Sequence, residues 1–159
     1  MGEGIMQTVI NTRPLNELDA MSVVRLAYKA LVESGKFDVD YDEQHFYTYI
    51  KKALVSPFYK GSIGIFDGDQ LIGFSMLGLN SLPWAPKNRT ATLLYFFVEN
   101  TENQDIKENI LFEAIEDYCR DNQIQTLQVS DHTITVHSLM NFGFKTQETF
   151  FSKDYDIQD

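Results

Sequence analysis

Tyr95 sits in the run Leu93-Leu94-Tyr95-Phe96-Phe97-Val98, where it places one phenol among apolar neighbours. A phenol projecting into an opening of a sheet can donate a proton, or take one through water, so Tyr95 is a candidate acid or base. Unperturbed histidines titrate near neutrality, which brings in His132 and His137. Their i, i+5 spacing sets them about 140° apart on a helix and argues against a shared metal ion. His137 and the adjacent Ser138 remain as polar groups able to handle a proton. The stretch Phe37-Asp38-Val39-Asp40-Tyr41-Asp42-Glu43 mixes rings with carboxylates, and Trp84 stands in Pro83-Trp84-Ala85-Pro86. Asp40, Tyr41 and Trp84 would suit a cationic amine through charge and ring faces. Each also has a plain structural reading: a tyrosine whose hydroxyl meets solvent at a sheet edge, an acidic helix start, a tryptophan covering an edge.

These residues need elements to position them. Gln7 to Arg13 alternates as a strand closed by Pro14. Asn16 and Asp19 cap a helix carrying Leu18, Met21, Val24, Tyr28 and Leu31 on one face and ending at Gly35. A second helix starts after Asp42, carries Phe46, Ile50 and Leu54, and stops at Pro57. Ser62–Phe66 and Gln70–Leu79 read as a hairpin through Asp67-Gly68-Asp69. Asn80 to Asn88 reads as a loop. Thr90 to Val98, apolar on both sides, reads as the central strand, covered on both faces. A long helix follows, with Ile106, Ile110, Leu111, Ala114, Ile115 and Tyr118 at helical spacing and Thr101 and Gln104 as its capping pair. Thr126–Val129 is a short strand, Thr133–Phe142 a helix ended by Gly143, and Lys145–Tyr155 a last strand. The order β-α-α-β-β-β-α-β-α-β calls for an α/β (α+β) fold, a mixed sheet with helices on both faces, as a single domain over 1–159.

Composition bounds the partners. The 159 residues include 13 Lys+Arg against 23 Asp+Glu, a formal net charge of −10. That charge repels nucleic acid and anionic membranes and favours a small-molecule amine or a basic protein surface. The longest apolar run is far short of the ~20 residues a bilayer needs, and the start lacks a signal-peptide pattern, so the expected location is cytoplasmic. Cys119 is the one cysteine, which removes any internal disulfide and any cysteine-based zinc cluster.

Three stretches, in this order and spacing, resemble the GNAT superfamily of N-acyltransferases. They are the hairpin from Gly61 to Phe74 with Gly73 after its apolar pair, Leu94-Tyr95-Phe96-Phe97-Val98-Glu99 followed by the helix through Ile110–Tyr118, and Asn141-Phe142-Gly143-Phe144-Lys145. The resemblance spans about Thr8 to Tyr155. It implies a GNAT-like sheet, mostly antiparallel, and acetyl-CoA as cofactor, with the backbone around Phe97 and Val98 holding the thioester end. It places the turn Asn103-Gln104-Asp105-Ile106-Lys107-Glu108-Asn109 at the phosphates and His132 where the family often has an asparagine.

The chain departs from that pattern. The family's Arg/Gln-x-x-Gly-x-Gly/Ala turn falls on Asn103, Ile106 and Glu108, and none of the three matches. Glu99, Glu102, Asp105 and Glu108 surround the turn and would repel a phosphate; Lys107 is the base among them. Thr90–Val98 carries no acid. The family's tyrosine acid aligns with Leu139, leaving Ser138 beside it as a weak substitute. Two functions follow as expectations: acetyl-CoA-dependent transfer of an acetyl group to an amine, or a catalytically inactive GNAT-fold binding or regulatory module that does not use acetyl-CoA.

Overall fold

The computed structural model of the protein describes residues 9–33, 41–82, 84–129 and 136–145. Strand β1 is Ile10–Pro14. At its end Asn16 accepts from the Leu18 amide, while Asp19 accepts from the Asn16 amide, a reciprocal cap that opens a 3-10 turn, Glu17–Asp19. Helix α1, Ala20–Glu33, continues from it. Its buried face is Ala20, Val23, Val24, Leu26 and Ala27, whereas Leu18 is 89% exposed and Tyr28 43%. The expected face through Leu18 and Tyr28 is therefore rotated. The cap starts the helix two residues after Leu18, and the small Ala20 and Ala27 are what let it approach the sheet.

Helix α2, Glu43–Val55, begins where Asp42 accepts from the His45 amide and ends at Ser56, before Pro57. Strands β2, Ile63–Asp67, and β3, Gln70–Leu82, form the expected hairpin. Gly68 turns it at φ 62°, while Asp69 keeps a negative φ, the Gly-first pattern of a type II′ turn.

Strand β4, Ala85–Val98, runs much farther back than the expected Thr90. The segment read as a loop is instead a second hairpin, with Leu82 paired to Ala85. Helix α3, Gln104–Asp121, strand β5, Thr126–Val129, and helix α4, Val136–Asn141, complete the described chain. The final strand expected from Lys145 and the Gly35 cap lie outside the described residues.

The sheet order is β1-β2-β3-β4-β5, antiparallel except for the parallel β4–β5 pair. Among the described strands β3 is the middle one and β4 the next. Two cores cover its faces. Leu15, Val23, Val24, Ile50, Phe66, Phe74 and Met76 pack under α1 and α2. Ile65, Leu77, Leu93, Val98, Leu111, Phe112 and Ile115 pack under α3, with Phe142 and Phe144 beside them. Cys119 is buried in this second core, as expected of an inert thiol.

Candidate active site

β4 changes character at Leu94. Met76 pairs with Tyr95 and Leu77 with Leu93, so Leu94 is an extra residue, a β-bulge in β4. On the other side, the described pairing with β5 covers Thr90 to Leu93, ending at Leu93↔Val129. The same strand stays zipped to β3 through Val98, and the Glu99 amide extends that ladder to the Ile72 carbonyl at 2.9 Å. A bulge bends the strand that carries it, and here the bend falls just before Tyr95. Gly73 opposite Val98 allows the close approach of β3: a Cβ there would lie 2.7 Å from the Phe97 carbonyl oxygen.

Side chains beyond the bulge alternate between the two faces. Phe96 and Val98 are buried toward α3. Tyr95 and Phe97 face α1 and α2, and Glu99 falls on that same face, where Lys29 of α1 meets its carboxylate at 3.1 Å. The sequence reading placed Glu99 only among the carboxylates around the turn, because it lies one residue past the strand. Its parity with Tyr95 and Phe97 was the signal that could have found it.

Tyr95 is 36% exposed and joins a continuous set of rings. Its ring meets Phe46 edge-on at 6.5 Å and Phe74 at 6.4 Å. Phe46 stacks on Tyr49 at 6.4 Å and tilts against Tyr41 at 6.1 Å, and Tyr41 meets Tyr28 at 5.3 Å. The Tyr49 and Tyr59 hydroxyls are 3.2 Å apart. Burial, and then the proximity of Tyr59, raise the Tyr95 pKa above that of a free phenol. Its proton therefore stays on at neutral pH, which fits an acid and not a base. The Tyr59 hydrogen bond, with burial, pushes Tyr49 up to about 12. The Tyr41 hydroxyl donates to the Val24 carbonyl at 3.4 Å, tying the start of α2 to α1.

The turn between β4 and α3 differs from the expected capping pair. The Gln104 amide nitrogen donates to the Val98 carbonyl at 3.1 Å, and the Thr101 hydroxyl accepts from Lys107 at 3.0 Å. The N-cap is Asn103, in the left-handed region at φ 59°, without a side-chain cap bond. Thr101 thus precedes the helix by too much to cap it. Ile106 is 58% exposed, and Asp105 lies in the first turn. Glu108 is half-buried on the sheet-facing side, one turn before Leu111 and Phe112. Burial, and then Asp105, raise its pKa. The turn gathers the residues from Asn103 to Asn109 beside the end of β4, with carboxylates where the resemblance implies phosphates.

Other expected site residues lie elsewhere. Trp84 is at the hairpin tip and 79% exposed; Phe97 is 13 residues farther along β4, about 40 Å at strand rise. The structure does not bring Trp84 together with Tyr95. His137 and Ser138 are in α4, while Asp40 and His132 lie outside the described residues. Among the described residues no group of three His, Cys, Asp or Glu could hold a metal ion, and no helix is long and apolar enough to cross a membrane.

No family model matches the sequence, and no curated protein does. Solved structures match the whole fold. A predicted acetyltransferase from Clostridium acetobutylicum with acetyl-CoA superposes at TM-score 0.77 and 12% identity, covering 92% of this chain and 96% of that one. An aminoglycoside N-acetyltransferase in complex with CoA gives 0.73 at 12% identity, with 96% and 98% covered. A ribosomal-protein-alanine N-acetyltransferase from Brucella melitensis biovar Abortus 2308 gives 0.69 at 12% identity, with 92% and 100% covered. The chain has the fold of the GNAT acetyltransferases.

Proposed function

We propose that this protein transfers an acetyl group from acetyl-CoA to the amine of a small molecule. The observation that carries the reading is the Leu94 bulge in β4, with Tyr95 immediately after it. A strand edge beside the start of α3 is a place for an extended thioester arm to hydrogen-bond along Phe97 and Val98. The structural neighbours with acetyl-CoA or CoA support the donor. Neighbours whose acceptors are as unlike as an aminoglycoside and a ribosomal protein share only the amine, so the acceptor must be read from this chain's own surface.

In this reading the acceptor ammonium first loses a proton to water. Its nitrogen attacks the thioester carbon, and the carbon–sulfur bond breaks. The departing thiolate takes the Tyr95 proton, the nitrogen sheds its second proton as the amide forms, and that proton restores Tyr95 through solvent, so one proton is released overall. Glu99 lies on the same face, with its carboxylate paired to Lys29. Ser138 and His137 are secondary candidates on α4. The residues Asn103–Asn109 would lie along the phosphates, with Lys107 supplying the positive charge.

A second reading has its own support. Glu108 is desolvated at the turn, and the Gln104 side chain already occupies the Val98 carbonyl. Both features suit a GNAT fold that has given up acetyl-CoA and serves as a binding or regulatory module, with a basic protein surface as partner. Calorimetric titration with acetyl-CoA separates the two. Micromolar binding, with Tyr95→Phe lowering turnover at least tenfold and leaving that binding unchanged, is the outcome the enzyme requires. Absence of binding overturns it in favour of the module.

A further inference from the structure

The face of the sheet under α1 and α2 carries more exposed aromatic surface than its core needs. Tyr28 is 43% exposed, Tyr49 41%, Tyr95 36%, and Phe58 40%. They are not scattered. The rings run from Tyr28 through Tyr41 and Phe46 to Tyr49 and Tyr95, with neighbouring centroids 5.3 to 6.5 Å apart. Tyr59 joins through its hydroxyl to Tyr49 and through its ring edge to Phe58, at 4.7 Å. An exposed aromatic patch of this extent marks a binding surface more often than a solvated one. Phe46 and Tyr95 stand 82° apart in plane and form a corner in which a flat ring can lie against one face and meet the other edge-on.

The chemistry of the patch narrows its occupant. Ring faces attract a cation, and the chain's net charge of −10 draws cations to its surface. The paired Tyr49 and Tyr59 hydroxyls have lone pairs for an ammonium, and Tyr49, pushed up to about 12, keeps its proton at neutral pH. A polyamine would need several carboxylates. Glu99, on this face, already holds Lys29, and Asp42 and Glu43 lie at the Tyr41 end of the ring series. The geometry points to an acceptor that is a monoamine with an aromatic body, its ring in the Phe46–Tyr95 corner and its ammonium toward the Tyr49 and Tyr59 hydroxyls. This deepens the acetyl-transfer reading and rests on it.

The test measures binding of 2-phenylethylamine by calorimetry and ligand-observed NMR, without and with CoA. Ethylamine, 2-phenylethanol and spermidine serve as comparisons. The expected result is affinity for 2-phenylethylamine at least tenfold above each of the three, and at least a fivefold loss in Tyr49→Ala and in Phe46→Leu. Tyr49 is exposed and Phe46→Leu keeps an apolar side chain, so far-UV circular dichroism and the melting temperature should match the parent's. Equal binding of 2-phenylethanol overturns the cation, and equal binding of ethylamine overturns the aromatic body. Absence of 2-phenylethylamine binding in both conditions overturns the site. Since the first titration contains no CoA, loss of the acetyl-transfer reading leaves it intact: 2-phenylethylamine bound without acetylation sinks the enzyme and keeps the aromatic site. Acetylation of spermidine with no 2-phenylethylamine binding does the reverse.

Discussion

Glu108 shows how one side chain can set the character of a site. It lies past the first turn of α3, beyond the reach of the helix dipole, and faces the sheet where burial disfavours its charge. A carboxyl whose folded pKa is raised costs stability once the pH exceeds that pKa, and costs nothing below its unfolded value near 4.3. Glu108→Gln should therefore raise urea stability at pH 7, with the gain fading as the pH falls toward about 4. If phosphates meet this turn, the same change should tighten acetyl-CoA binding about two- to fivefold by removing ~0.3–1 kcal/mol of repulsion. Asp19 is the opposite case. Burial pushes its pKa up, but the two Arg13 hydrogen bonds at 2.9 and 3.0 Å, the Asn16 amide and the Arg13 charge outweigh that and leave it lowered. Its stabilisation is present above the unfolded pKa and is lost as the pH falls through the folded one. Asp19→Asn should cost about 1–2 kcal/mol at pH 7 by urea denaturation, and the deficit should shrink below about pH 4.

At the scale of elements, the bend in β4 and its tight seam with β3 act together. Gly73 makes the seam possible, because a methyl group there would strike backbone and not a flexible side-chain tip. Gly73→Ala should destabilise the fold by about 1–3 kcal/mol. It should also weaken acetyl-CoA binding more than an equally destabilising change remote from β4, read by comparing calorimetry with urea melts. The end of α3 is built with less strain relief. The Gln123 amide donates to Arg120 and the Ile124 amide to Cys119 in a Schellman closure, with Gln123 itself at φ 58°. Glycine adopts that conformation without a Cβ penalty, so Gln123→Gly should raise stability by about 0.5–1 kcal/mol in thermal or urea unfolding. The hairpin at Gly68 and the caps at Asn16 and Asp42 were legible because local chemistry dictates them. The second hairpin was not, since a proline-rich segment reads as a loop and as a turn between strands alike.

For the whole molecule, net charge and site charge have the same sign. An arginine- or glycine-rich phosphate cradle binds its anion less well as salt rises. Here screening should relieve repulsion between acetyl-CoA and an acidic surface, so affinity should hold or rise about two- to threefold between 20 and 200 mM NaCl. A steep fall would reveal a basic cradle on a surface other than the Asn103–Asn109 turn. The two-sided core explains why the fold stands without glycines in that turn. Phe74, Met76, Leu77 and Leu93 are buried on opposite faces of the same two strands, and none of them depends on the turn.

The order of elements, the caps and hairpin at Asn16, Asp42 and Gly68, and the missing glycines at Ile106 and Glu108 could all be read from sequence, because each depends on neighbours within a few residues. So could the net charge that sets the kind of partner. Which face of α1 meets the sheet, where β4 bulges, and that Glu99, Tyr95 and the rings of α1 and α2 share one surface were decided by the tertiary fold. A strand's parity counts only once its register is known, and a single bulged residue at Leu94 resets that parity. The aromatic surface joins residues from Tyr28 to Tyr95, and nothing local in the chain brings those distant positions together.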